Sequence, residues 1–192
     1  QRRERGSGLD VWSRLAEWED EPPRGEAGSA PVDSESARIR LEKLLQASGL
    51  DEARPTQSDY AAEAAYAFSP RNEEGRPRIL LAEAGTGTGK TLGYLAPASV
   101  WAERNQGAAW ISTYTRALQR QIDRESAALW PDPAERRIKT VVRKGRENYL
   151  CLLNLQDMVQ AAQLGNGDLI GLALTTRWAA HSRDGDMTGG DF

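Results

Sequence analysis

The sequence predicts an α/β domain: a parallel sheet with helices on both faces, incomplete in this chain and preceded by a helical N-terminal segment. Two observations carry the prediction. Short apolar runs alternate with amphipathic helical stretches after Arg78, the pattern of strands buried under crossover helices. The first of those runs, Ile79 to Ala82, leads into Ala84-Gly85-Thr86-Gly87-Thr88-Gly89-Lys90-Thr91, a glycine-rich turn that opens the next helix. Glycine lets such a turn curl tightly with its N–H groups pointing inward, and the helix start adds partial positive charge, so the segment reads as a phosphate cradle.

The elements follow in order. Val11, Trp12, Leu15 and Trp18 fall at helical spacing and predict a short amphipathic helix. Residues 19–33 are acidic and rich in proline and glycine, the composition of a flexible linker. Ser34 or Ser36 is placed to cap a helix whose apolar face is Ile39, Leu41, Leu44 and Leu45, closed by Gly49. Arg54-Pro55-Thr56-Gln57 is an extended approach to a second helix, capped near Thr56 or Ser58 and stopped by Ser69-Pro70. After the cradle, a helix through Leu92 and Leu95 is expected to kink or divide at Pro97. A strand is predicted at Ala108 to Ser112, a helix from about Thr115 to Leu129 and a strand at Ile138 to Val142, with further helices near residues 150–163 and 169–181. The division that results is a helical segment 1–53, a nucleotide-binding region 54–143 and a final region 144–192.

Composition narrows the function. With 192 residues and 39% hydrophobic content the chain suits one globular domain rather than a whole motor. No apolar run approaches the ~18 residues of a membrane helix, and the arginine-rich start lacks a secretory signal, so a cytoplasmic location away from membranes is expected. Cys151 is the single cysteine, which excludes an intrachain disulfide and a complete thiolate metal site. Net charge is −3, yet Arg136, Arg137, Lys139, Arg143, Lys144 and Arg146 form a local basic stripe of the kind that meets phosphate backbones.

Within the cradle, Lys90 is the cation for the terminal phosphates and the Thr91 hydroxyl the candidate magnesium ligand, making these two the catalytic candidates and ATP with Mg2+ the expected cofactors. Ala84 stands where the usual pattern has glycine. The lone histidine, His181, has no metal-binding spacing around it.

Four stretches together resemble the DinG-type helicases, superfamily 2 enzymes related to XPD. They are Arg54-Pro-x-Gln57, Glu83 to Thr91, Ile111-Ser-Thr-Tyr-Thr-Arg-Ala-Leu-Gln-Arg-Gln-Ile122 and Lys144-Gly-Arg-Glu-Asn-Tyr-Leu-Cys151, in that order. The similarity runs from Arg54 to Phe192, and Tyr114 stands where the family commonly has histidine. The resemblance implies a RecA-like P-loop NTPase fold and the N-terminal portion of an ATP-dependent helicase moving 5'-to-3'. By it, Gln57 reads the adenine edge and Arg54 orders the same loop. Thr113, Thr115, Arg116 and Gln119, with Lys144 and Arg146, would contact single-stranded or forked DNA, or an RNA–DNA hybrid. Cys151 would be the first of four thiolates of a 4Fe-4S cluster held only by the full-length protein. Oligomeric state is not legible, with a monomer the working expectation.

No Asp-Glu-x-His box is present; Asp51-Glu52-Ala53-Arg54 ends in arginine and precedes the cradle. The expectation is therefore a chain that binds nucleotide without hydrolysing it effectively. Two other readings stay open: a different P-loop enzyme, indifferent to DNA, and a non-catalytic nucleic-acid-binding remnant whose binding does not depend on Lys90.

Overall fold

The computed structural model describes residues 10, 12, 25–50, 54–71, 75–85, 87–165 and 167–188. Val11, Leu15 and Trp18 of the first predicted helix lie outside the described residues, as does Thr86 of the cradle. Two compact units are present, one formed by residues 25–142 and the other by 143–192 with 1–24.

In the first unit three helices pack pairwise: α1 (Ser34–Ala47), α2 (Pro55–Ala64) and α3 (Lys90–Asn105). Asp33, rather than either serine, caps α1 by accepting from the Ser36 amide at 2.7 Å. Ser36 itself donates its hydroxyl to the other Asp33 oxygen, so the expected cap residue serves the cap instead. The face that α1 buries is Ala37, Leu41, Leu44 and Leu45, with Ile39 turned outward. Leu41, Leu44 and Leu45 meet Ala61 of α2 and Leu92, Leu95 and Ala96 of α3 in one core. Each fully buried leucine there contributes about 1.5–3 kcal/mol. Val32, Ala37, Ala65 and Val100 form a second cluster, edged by Phe68 and Trp101. The helices approach closely where α3 carries Gly93, since a Cβ there would fall 2.7 Å from the Tyr60 ring. α2 begins on Pro55, which needs no amide partner at that position, and ends in a single 3-10 turn over Ala65–Phe68.

Pro97 neither divides nor ends α3, which runs unbroken for 16 residues. Its ring is fully buried, and that packing holds the helix across the missing hydrogen bond. The second half of the 19–33 stretch is laid against the end of α3. The Ala30 amide donates to the Asn105 side chain at 2.6 Å, the Asn105 amide donates back to Ala30, and Arg104 donates to the Pro31 carbonyl. Two further helices complete this unit, α4 (Arg116–Ser126) and the short α5 (Pro133–Lys139).

The predicted parallel sheet is not formed: among the described residues there is no strand, and the chain is helical and irregular. Ile79 to Ala82 and Ala108 to Ser112 are irregular, with Leu81 93% and Trp110 83% exposed. Ile138 lies inside α5, where Asp132 caps the Ala134 amide and Pro133 starts the helix, so the local start signal overrides the apolar run. The physical reason is pairing. A strand exists only when a neighbour takes up its N–H and C=O groups, and an apolar run cannot specify that neighbour. The helix faces that a sheet would have covered are instead buried against one another in the α1–α2–α3 core.

The second unit carries α6 (Leu152–Gln163) and α7 (Leu169–Ala179), packed through Leu155, Val159 and Leu172. Asp168 caps α7 by accepting from the Ile170 and Gly171 amides. An isolated antiparallel bridge joins Tyr149 to Asp186. Trp12 donates its indole N–H to Gln156 of α6 at 3.0 Å.

Candidate nucleotide and nucleic-acid site

The glycine-rich turn sits at the start of α3 and is held by side chains from the start of α2, about thirty residues earlier. Gly87 and Gly89 both have left-handed backbones, at φ 79° and 75°, which residues with a Cβ adopt only at a cost. Arg54 donates to the Gly87 carbonyl at 2.7 Å and Gln57 to the Gly89 carbonyl at 2.8 Å. Thr88 closes the turn by donating to Gly85 at 2.9 Å. Lys90 turns back over its own loop, its ammonium 2.6 Å from the Ala84 carbonyl and 2.5 Å from that of Gly85. Two cations, Arg54 and Lys90, are thus gathered at one loop and one helix N-terminus, a combination suited to phosphate oxygens.

Gln57 is 3% exposed, and its amide is committed to Gly89. Arg54 and Gln57 both reach the cradle, and Gln57 braces the loop through Gly89.

Thr91 is buried one residue into α3. Its hydroxyl accepts from the Gln121 amide of α4 at 3.3 Å, and the same amide nitrogen donates to Glu125 at 2.6 Å. Burial pushes the Tyr94 pKa up, opposed by the neighbouring Thr91 side chain and assisted by the Glu125 charge. A hydroxyl offers one donor and two acceptor positions, so with the Gln121 amide on one acceptor position a second is left for a cation. Thr91 alone fits magnesium in the way a phosphate-bound ion is held, by one protein oxygen with the rest from phosphate and water. No group of three His, Cys, Asp or Glu suited to a metal occurs among the described residues.

Of the nucleic-acid candidates, Thr115 caps α4 by accepting from the Leu118 amide at 3.2 Å. Thr113 donates to the Thr115 carbonyl at 3.4 Å. Arg116 is exposed and Gln119 half-buried on the same helix. Tyr114 stands 99% exposed between the threonines. The basic stripe is shared between the units: Arg136, Arg137 and Lys139 are on α5, whereas Arg143, Lys144 and Arg146 belong to the second unit. There Lys144 is paired with the carboxylate of Asp186 and donates to Thr188 at 3.0 Å, while its amide donates to the Tyr149 hydroxyl. Burial alone would raise the Asp186 pKa; its bonds to Lys144 and Thr188 outweigh that and hold it below the usual carboxylate range. Arg146 is exposed.

Cys151 is an exposed thiol at the N-cap of α6. With one cysteine in the sequence and no group of three or more potential ligands among the described residues, the other thiolates of a four-thiolate cluster would have to come from outside this chain. His181 bonds the Arg177 carbonyl through Nδ1.

Sequence reasoning missed Gln121, Glu125 and Tyr94. Gln121 and Glu125 stand four apart on a helix, a spacing that signals a side-chain pair. Nothing in the sequence told that the pair would meet Thr91, thirty positions earlier.

Several known proteins are similar to part of this chain. The ATP-dependent helicase DinG of Mycobacterium tuberculosis is 42% identical over 113 residues, 57% of this chain. The ATP-dependent DNA helicases YoaA of Haemophilus influenzae and Escherichia coli are each 36% identical, over 57% and 65% of the chain. Over that stretch the chain is similar to DinG-type helicases. A further DinG-type relative, from Bacillus subtilis, is named 3'-5' exonuclease DinG and is 29% identical over 136 residues. The chain spans 16% of the length of the mycobacterial DinG, and 17% and 19% of the two YoaA proteins. No protein-family model matches the chain, and no solved structure matches it. No helix among the described residues is long and apolar enough to cross a membrane.

Proposed function

We propose that this chain is the nucleotide-binding front part of an ATP-dependent DNA helicase. It holds the phosphates of ATP with Mg2+ at residues 84–91 and meets single-stranded or forked DNA through residues 113–119. The full-length protein, by this reading, works in the cytoplasm and unwinds duplex DNA 5'-to-3'. The observation that carries the reading is the braced cradle: a left-handed glycine turn at a helix N-terminus, with Lys90 and Arg54 converging on it from separate elements. The helicase names of the relatives support it.

The residues do identifiable work in this scheme. Lys90 exchanges the neutral carbonyls of Ala84 and Gly85 for charged phosphate oxygens, which are the stronger acceptors. Arg54 adds a second positive charge while keeping Gly87 in its left-handed turn. Thr91 would hold magnesium through its hydroxyl oxygen, and the ion would supply neutralisation of phosphate charge. Half-buried Thr113 with exposed Thr115 and Arg116 forms a sequence-neutral edge suited to a sugar-phosphate backbone.

The test is titration with a fluorescent, non-hydrolysable ATP analogue in Mg2+. Lys90→Ala is expected to weaken binding by roughly ten-fold or more, the scale of a hydrogen bond to a charged group. Equal binding by native and variant chains would refute the assignment. Binding of a labelled oligothymidylate should weaken steeply with added salt, and a flat salt response would exclude backbone contacts.

A further inference from the structure

The Thr91 hydroxyl meets a side chain of α4, the helix that starts on the threonine edge proposed for DNA. Gln121 stands on α4 with its amide nitrogen divided between two acceptors, Thr91 Oγ1 at 3.3 Å and Glu125 Oε1 at 2.6 Å. Glu125 lies one helical turn further on, so the shorter bond fixes the amide and the longer one reaches Thr91. Thr91 is buried and cannot replace this partner with bulk water. With the Gln121 amide on one acceptor position of the hydroxyl, the other acceptor position is the one left to meet a cation.

We propose that Gln121, anchored by Glu125, is a positioning residue for the Thr91 hydroxyl, presetting it for the magnesium that accompanies nucleotide. The assignment rests on the nucleotide reading above. It gives α4 a role at the cradle as well as at its own N-terminus: a shift of α4 changes the orientation of Thr91. Coupling of this kind is reciprocal, so a ligand that engages Thr91 also biases α4.

A double-substitution cycle on the whole chain, with Gln121→Leu and Thr91→Val, tests this through two readouts. The first is urea unfolding of the free chain, which needs no nucleotide. The midpoint shifts of the two single variants are expected to exceed, in sum, that of the double variant, because either change already breaks the bond; strictly additive shifts would overturn the contact and the proposal with it. The second is the ratio of analogue affinity in Mg2+ to that in EDTA. Gln121→Leu is expected to lower this ratio by roughly three- to ten-fold while leaving the EDTA affinity near native, the scale of one neutral hydrogen bond. Glu125→Ala should lower it less, in the same direction. A purely structural role would move the unfolding midpoint and leave the ratio untouched, and that result overturns the proposal. A native chain that shows the coupling but binds no analogue would instead overturn the nucleotide reading, and the positioning role with it.

Discussion

Replacing Gly89 with alanine separates two costs that the cradle geometry superimposes. The backbone at Gly89 has φ 75°, a region that costs a residue with a Cβ about 1–2 kcal/mol. A Cβ at that position would also fall 2.2 Å from the Gln57 amide nitrogen, so the buried carboxamide must swing away and release the Gly89 carbonyl. Leaving that amide and carbonyl unpaired costs about 1–3 kcal/mol. Gly89→Ala alone is therefore expected to destabilise by about 2–5 kcal/mol in total. In a Gln57→Ala background there is no carboxamide to displace, and only the backbone cost of about 1–2 kcal/mol remains. The assay is urea unfolding of the four chains, native, both single variants and the double, followed by helical circular dichroism. Coupling of about 1–3 kcal/mol is expected, and additivity within about 0.5 kcal/mol would refute the claim that Gln57 braces the loop.

Four further outcomes follow from the same contacts. Asp33→Ala removes the α1 cap and is expected to cost about 1 kcal/mol, measured as a lower urea midpoint; a neutral result would show that the cap is redundant. Asp33 has its pKa lowered to about 2 by the Ser36 side-chain and backbone bonds, so its contribution is complete above about pH 4 and lost as pH falls toward 2. That carboxylate is largely exposed, so acid unfolding of Asp33→Asn and native chains should differ by no more than the cap itself contributes. Leu41→Ala opens the α1–α2–α3 core and should cost about 2–5 kcal/mol in the same unfolding assay, a cost below about 1 kcal/mol being inconsistent with its burial. Lys144→Met leaves the buried Asp186 carboxylate without its cation and is expected to destabilise the 143–192 unit by about 1–3 kcal/mol, read by hydrogen exchange at Met187 and Thr188; unchanged protection would mean the pair is incidental.

Much of the candidate site was legible because its signals are local. A glycine at a left-handed position, a lysine opening a helix and a threonine at an N-cap are properties of a few adjacent residues, and the sequence around Gly89, Lys90 and Thr115 specifies them. The helices near 34–47, 55–68, 90–105, 116–126, 152–163 and 169–179 were legible for the same reason, through apolar spacing and end signals.

What the sequence could not decide was partnership. Apolar runs at Ile79, Trp110 and Ile138 carry strand-like composition, but a sheet is a property of pairs, and tertiary packing gave the apolar helix faces to one another instead. The same holds at atomic scale. Sequence singled out Gln57 by resemblance and left Gln121 and Glu125 as ordinary polar residues; only the folded chain placed Gln57 against Gly89 and Gln121, held by Glu125, against Thr91, because hydrogen bonds between residues thirty apart depend on where three helices cross. Sequence alone thus determined the loop, the helices and the family resemblance. Tertiary structure decided which side chains hold the loop, since burial and distance arise only when separate segments meet.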